Sequence, residues 1–342
     1  MPARPFAGGL PRRGLLGGLA AGALAPAAAR PQPVAPAQAV VQALAWPAER
    51  VTFVTSLPAG SSVDLTTRLL ADPLARFWGR PVVVDNRGGG NGLPACQFVA
   101  RARPDGLTLL STSAMTHAAN PALYDRLPYD PVADFAAVTR FGRSPFVVLA
   151  QKGLGTPTLA ALVARLRAEP GQHNFGWGAV PARVAAELFL REAGVRATDV
   201  AYRGNQAAFP DLLEGRLSFQ VIDVVGAKPL VDRGEVVALA VTEQQRHPAL
   251  PGVPSAVEAG LPGLRFTTWS GIYAPRATPP EVVAQVQRDI VRAFAEPAVQ
   301  ARFAAMGGAQ EPPSTPEDFA AFTLAEIASW GALIRAAGLR LE

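Results

Sequence analysis

The 342-residue chain is poor in the residues that build metal centres and disulfides. Cys96 is the only cysteine, so no intrachain disulfide and no cysteine-based metal cluster can form. The only histidines are His117, His173 and His247, far apart and outside any HExxH pattern, which argues against a zinc hydrolase. Lysine occurs only at Lys152 and Lys228. No stretch is long and apolar enough for a transmembrane helix. Charge of one sign is scarce as well. The formal net charge is +5, and Arg4, Arg12, Arg13 and Arg30 are the only charged residues before Glu49, leaving 5 − 4 = +1 for the rest. A near-neutral body gives no electrostatic case for nucleic acid.

What is present is a globular composition, with 49% hydrophobic and 17% charged residues. The first residues read as an export signal over 1–39. Arg12 and Arg13 form a basic start, Gly14 to Ala25 an apolar run too short to span a bilayer, and small residues give A-x-A ends at Ala29 or Ala39. The paired arginines resemble a twin-arginine signal, with the general secretory route as the alternative. A periplasmic protein is the expectation.

From Trp46 onward strand and helix signals alternate. Val51 to Thr55 reads as a strand, followed by a helix with Leu65, Leu69, Leu70, Leu74 and Phe77 at helical spacing. "RPVVVDN", a helix from Pro94 to Ala102, and "LTLLST" continue a βαβαβ order, which implies parallel strands. Further strands are expected at Phe146 to Gln151, "HNFGWG", "DVAYRG", "LSFQVID", "VVALAVT" and "WSGIYAP". Helices are expected at "TLAALVARLRA", "VAAELFLREAG", "PPEVVAQVQRDIVRAFAE" and "TPEDFAAFTLAEIASWGALIRAAG". Two α/β blocks without a low-complexity linker suggest two lobes and a cleft, with ligands at the carboxyl ends of the strands.

Three strand-end loops carry candidate chemistry. "VVVDNRGGGNGLPA" looks like a phosphate cradle, but it has Leu93 where a Rossmann fingerprint needs its third glycine. It also lacks the GK[ST] of a P-loop. It reads as a strand-to-helix turn needing positive φ, or as a ligand contact. "PAGSSVD" places Gly60, Ser61 and Ser62 before a helix, where hydroxyls and free amides suit a carboxylate; Asp64 caps the helix or organises the loop. "STSAMTHAANP" offers Ser113, Thr116 and His117 at a strand end, suited to a ligand or to a polar turn. An exported serine hydrolase is a competing reading, but "GSSVD" lacks the closing glycine of a nucleophile elbow.

Seven segments together carry a resemblance: "LPAGSSVDLTTRLLA", "GRPVVVDNRGGGNG", "VARARPDGLTLL", "THAANPALYDRLPYDPVADFAAV", "DVAYRGNQAAFPDLLEGRLSFQVID", "VVALAVTEQQRHPALPGVPSAVEAGLPG" and "STPEDFAAF". In this order the chain resembles the Bug-type extracytoplasmic solute receptors of tripartite tricarboxylate transporters, from about Trp46 to Gly338. The resemblance implies an α/β, two-lobed periplasmic binding protein fold of type II, each lobe a sheet flanked by helices with the ligand cleft between. The expected lobes are 46–146 with 272–342, and 147–271. It implies a monomer with no catalysis, cofactor or metal, binding a small carboxylate and serving the membrane subunits of a transporter. A ligand-sensing partner of a membrane kinase would look the same. By position it points to Gly60, Ser61, Ser62, Asp64, Ser113, Thr116 and His117 on lobe one. On lobe two it points to Gly178, Ala179, Tyr202, Arg203, Gly204 and Asp223. Two loops depart from the family pattern. Ser61 stands for the second of two adjacent glycines and Val63 for a Thr or Ser, and the second-lobe turn reads "GWGAVPARV". Trp177 makes that turn bulkier and Arg183 adds a cation, which suggests a ligand with one carboxylate and an apolar or aromatic body.

Overall fold

The computed structural model describes residues 46–308, 311–336 and 338–339; the expected export signal lies outside the described residues. Three parallel strands open the fold: β1 (Val51–Thr55), β2 (Val82–Asn86) and β3 (Thr108–Ser113), in the order β2-β1-β3. β1 and β3 are buried along nearly their whole length and are correspondingly rich in Val, Leu and Thr, whereas the edge strand β2 is only half-buried. Between β1 and β2 runs α1 (Ser62–Trp78). Ser61 caps its start, and Gly79 closes it in the left-handed region at φ 60°. Leu69, Leu70 and Leu74 face Val51, Phe53 and Leu109 in one apolar cluster. α2 (Leu93–Ala100) links β2 to β3; it stops two residues short of the Ala102 that the sequence suggested.

The next strand, β4, is far longer than expected. It runs from Phe135 to Gln151, 17 residues, where the sequence marked only Phe146 to Gln151. At ~3.3 Å per residue it reaches across about 55 Å. Its first part, Phe135 to Pro145, pairs with β9 (Thr267–Pro275), which in turn pairs antiparallel with β3. Its second part, Phe146 to Gln151, pairs with β7 (Phe219–Asp223) and β8 (Val236–Val241). The second sheet is completed by β5 (Asn174–Trp177) and β6 (Thr198–Ala201), parallel to each other, with β5 also parallel to β7. Register shifts at Ala137/Thr139 and Phe141/Arg143 bend β4 before the changeover, and Gly142 takes φ 67° there. Pro145, which has no N–H to give, is the last residue paired with β9. β9 belongs wholly to the first sheet.

Helices flank both sheets. Those of the second lobe are α4 (Leu159–Ala168), α5 (Val180–Ala193), α6 (Phe209–Leu213) and α7 (Val224–Asp232); α3 (Asn120–Leu123) is a short turn after β3. α5 begins at Val180, four residues earlier than the apolar pattern suggested, because Pro181 sits in its first turn where its missing N–H costs nothing. The chain returns to lobe one through α8 (Pro280–Phe294), α9 (Pro297–Ala305) and α10 (Pro316–Ala336). α10 lies on β9: the Phe319 ring sits 4.6 Å from the Tyr273 ring, and a Cβ on Gly271 would come within 2.2 Å of it. Trp330 packs against Phe266, and Trp269 and Trp330 both donate to Glu326. Among the described residues no helix is long and apolar enough to cross a membrane.

Gly178 after β5 touches the loop after β6 backbone to backbone. A Cβ there would lie 1.9 Å from the carbonyl carbon of Gly204 and 2.3 Å from the amide nitrogen of Asn205. Neither neighbour is a side chain that can swing away. Gly178→Ala should therefore cost about 1–3 kcal/mol, the range for overpacking. Gly252→Ala, where a Cβ meets nothing within 4 Å, should fall within about 0.5 kcal/mol of wild type. Urea unfolding of both variants checks this.

Candidate ligand cleft

The carboxyl ends of the parallel strands of both sheets converge on one cavity of about 250 Å³. Lobe one supplies Ser56, Leu57 and Pro58 after β1, Gly89 to Gly92 after β2, and Met115 after β3. Lobe two supplies Trp177 and Gly178 after β5, and Ala201, Tyr202 and Arg203 after β6. This is where an open α/β sheet offers a crevice, because the loops there are free of the helix connections at the other end. Of the residues expected from sequence, Trp177, Gly178, Tyr202 and Arg203 line it.

Much of the polar equipment around this cavity is already engaged. Ser56 Oγ is buried and lies 2.7 Å from Thr112 Oγ1. The Tyr202 hydroxyl donates to Asp211 at 2.5 Å. Asn91 donates its side-chain amide to the Tyr124 hydroxyl at 2.8 Å. Arg203 is exposed and, among the described residues, its guanidinium has no hydrogen bond or ion pair. Glycine can face a cavity only with backbone, so Gly89, Gly90 and Gly92 present peptide groups to it. Gly89, Gly90, Asn91 and Gly92 all have positive φ, between 50° and 95°. The glycine run is thus both the tight turn and a wall of the cleft.

The "PAGSSVD" loop faces a different way. The Gly60 amide donates to Asp64 Oδ2 at 2.8 Å, and Ser61 accepts from the Asp64 amide at 3.3 Å. Arg68 Nε and the Asn86 side-chain amide both donate to Asp64 Oδ1, at 2.9 and 2.8 Å. Asp64 is 2% exposed, and this network accounts for its carboxylate without a ligand. Ser62 lines a second, much smaller void of about 20 Å³ with Thr66, Ser144 and Ser270, close to where the strands cross between lobes. Asp223 is the N-cap of α7, and its side chain accepts from the Gly226 amide at 2.9 Å, with the Ser62 hydroxyl nearby. Burial raises the Asp223 pKa; the Gly226 amide and the Ser62 hydroxyl oppose that shift. Ala179 is the buried N-cap of α5.

Ser113, Thr116 and His117 sit behind the wall rather than in it. Ser113 Oγ accepts from the Met115 amide at 3.4 Å. Thr112 Oγ1, Thr116 Oγ1 and His117 Nδ1 form a buried chain with spacings of 2.6 and 2.8 Å. The His117 imidazole stacks on Tyr273 with centroids 3.9 Å apart and is fully buried. Arg183 does not line the cavity either. It lies over the Trp177 ring, 4.9 Å from its centroid, and pairs with Asp199 at 3.2 Å. Gly204 packs on Pro58 of the opposite lobe; a Cβ there would meet the Pro58 ring at 3.0 Å.

The histidines also bear on the hydrolase reading. His173 lies between Ser218 Oγ and Glu169 Oε2, 3.0 Å from each. That trio has the composition of a catalytic triad. It precedes β5 and β7, at the end of the sheet opposite Trp177, and ties those two strand starts together.

The family model of the tripartite tricarboxylate transporter family receptor matches residues 66–339. The chain belongs to this receptor family. It is 31% identical to protein BugT of Bordetella pertussis over 307 residues, 89% of this chain and 94% of that one. Among solved structures, the Rhodopseudomonas palustris protein Rpa4515 with adipate superposes with a TM-score of 0.83 at 32% identity, covering 86% of this chain and 99% of that one. MatC from the same organism, with bound malate, gives 0.79 at 30% identity, covering 84% and 100%. The receptor is therefore a solute-binding protein of the periplasmic binding protein fold, not an enzyme.

Burial lowers the His117 pKa from 6.5 to about 3. The unfolded chain binds that proton and the native receptor does not, so stability is full above pH 6.5 and is lost as pH falls toward 3. One proton gives a slope of up to about 1.4 kcal/mol per pH unit. His247 is shifted the same way, by burial and then by Arg143. Asp223 is shifted in the opposite sense, so its contribution is lost as pH rises. The difference between wild type and His117→Gln isolates the one group: that difference should shrink steadily from pH 6.5 to 4.5 in urea titrations.

Proposed function

We propose that the receptor is exported, captures a small organic carboxylate between its lobes, and hands it to the membrane subunits of a tripartite transporter. The observation that carries this is the pairing of an unpartnered cation with a glycine-backbone wall. Arg203 of lobe two and the Gly89–Gly92 turn of lobe one line the same cavity of about 250 Å³. A guanidinium and peptide N–H groups are donors suited to a carboxylate. The volume lies just below the usual range for drug-sized ligands, which fits a small acid. Among the relatives, adipate and malate are the acids found in the two R. palustris proteins.

Capture works through closure. β4 and β9 are the strands that cross or border the junction, and rotation there opens or shuts the gap between strand-end loops. A ligand touching both lobes favours the closed state by the contacts it makes only there. Pro58 and Gly204 already touch across the gap between the lobes. The closed surface is then the one that distinguishes a loaded receptor for its membrane partner.

Calorimetry with small acids and their primary amides tests the reading. The acids should bind and the neutral amides should not. Arg203→Gln should weaken the acids roughly 10- to 100-fold, the worth of one hydrogen bond to a charged group. Equal binding of acids and amides would defeat the carboxylate assignment.

A further inference from the structure

The cleft offers one free charge, one wall of glycine backbone, polar side chains already engaged elsewhere, and large apolar side chains. Arg203 is its sole cation among the described residues. Leu57, Pro58, Met115 and Trp177 supply the large side chains around it. A second carboxylate placed here would lose water without gaining a cation, and an unpaired buried charge is costly. Citrate and the longer diacids are therefore poorly served by these walls.

Trp177 is also held in place before any ligand arrives. Its Nε1 donates to Asp199 at 2.8 Å, Asp199 pairs with Arg183 at 3.2 Å, and the Arg183 guanidinium lies over the indole. These three contacts fix ring position and tilt from lobe two alone. With one face covered by a guanidinium, the ring offers its remaining surface to the cleft it lines. A rigid aromatic wall gives contact area at little entropic cost and favours flat apolar groups.

We infer that the receptor selects an aromatic monocarboxylate, with the carboxylate at Arg203 and the ring packed on Trp177. This rests on the carboxylate reading and narrows it. Arg183 and Asp199 act as positioning residues that hold the indole.

Calorimetry of the purified receptor with benzoate, adipate and citrate decides the matter, together with Trp177→Leu and Trp177→Phe. Benzoate should bind the wild type at least 10-fold more tightly than either polyacid. Trp177→Leu should erase most of that preference, and Trp177→Phe should retain most of it. A wild type that prefers adipate or citrate overturns the inference and leaves the carboxylate reading standing. So does a benzoate preference that survives Trp177→Leu. If none of the three acids binds, both fail. The wild-type ranking alone decides if Trp177→Leu does not fold.

Discussion

One strand is hydrogen-bonded into both sheets, and the geometry of the receptor follows from it. β4 is paired with β9 up to Pro145 and with β7 and β8 from Phe146 onward. Because the strand is continuous, the two sheets cannot drift apart, and their parallel strands end on a shared gap. The bulges at Ala137/Thr139 and Phe141/Arg143, and positive φ at Gly142, lie just ahead of the changeover. They bend the strand just before its pairing passes from one sheet to the other. Arg143 sits there too, paired with Glu243 of the lobe-two loop and with Glu311 of the returning chain. The ion pairs bracket the bend and favour the arrangement in which both carboxylates are within reach.

A second constraint is that the strand-end loops meet at glycines. Gly88 abuts the Leu57–Pro58 peptide, with a Cβ there only 2.4 Å from the Pro58 nitrogen. Gly178 abuts Gly204–Asn205, and Gly204 abuts Pro58 across the gap. These contacts link the loops after β2, β1, β6 and β5, through main chain at Gly88 and Gly178 and through the Pro58 ring at Gly204. At Gly88 and Gly178 any side chain would force the loops apart. The shape of the cleft is thus set by backbone, and its chemistry by the few side chains inserted into that frame.

The architecture was legible in the sequence because it is written in periodicity. Alternating strand and helix signals marked β1 to β3 and β5 to β8, and the turns between them were marked by glycine and proline. The first eleven residues of β4 were not legible, since "FAAVTRFGRSP" mixes polar and apolar residues along a strand whose faces change neighbours at each bulge. Of the lobe-two residues named from sequence, Trp177, Gly178, Tyr202 and Arg203 line the cavity and Ala179, Arg183, Gly204 and Asp223 do not. Trp177 stood out as a departure from the family pattern, and Arg203 entered by its position in the resemblance. On lobe one, hydroxyl-rich "PAGSSVD" drew attention, yet helix capping consumes Ser61 and Asp64. The lining falls instead to Leu57 and Pro58, residues without conspicuous chemistry, and to the glycine turn, which the sequence offered as a turn or a ligand contact. The signal that could have found them is positional: in a parallel sheet the residues immediately after the strand face the crevice, and those one turn later belong to the helix.

In the Trp177 cluster a charged residue holds a neighbouring ring and does not itself line the cavity. Arg183 is the more obvious cation in sequence, adjacent to the bulky turn, yet its charge is met by Asp199 at 3.2 Å. Glu187 lies close as well, its pKa raised by burial and by Asp199 and opposed by Arg183. An arginine so surrounded contributes little net field in the cavity, because two carboxylates offset it within a few ångströms. What remains is its shape: a flat guanidinium laid on an indole whose N–H is fixed by the same Asp199. Arg203, in contrast, lines the cavity and has no such partner among the described residues, so the two arginines differ in what surrounds them and not in their charge.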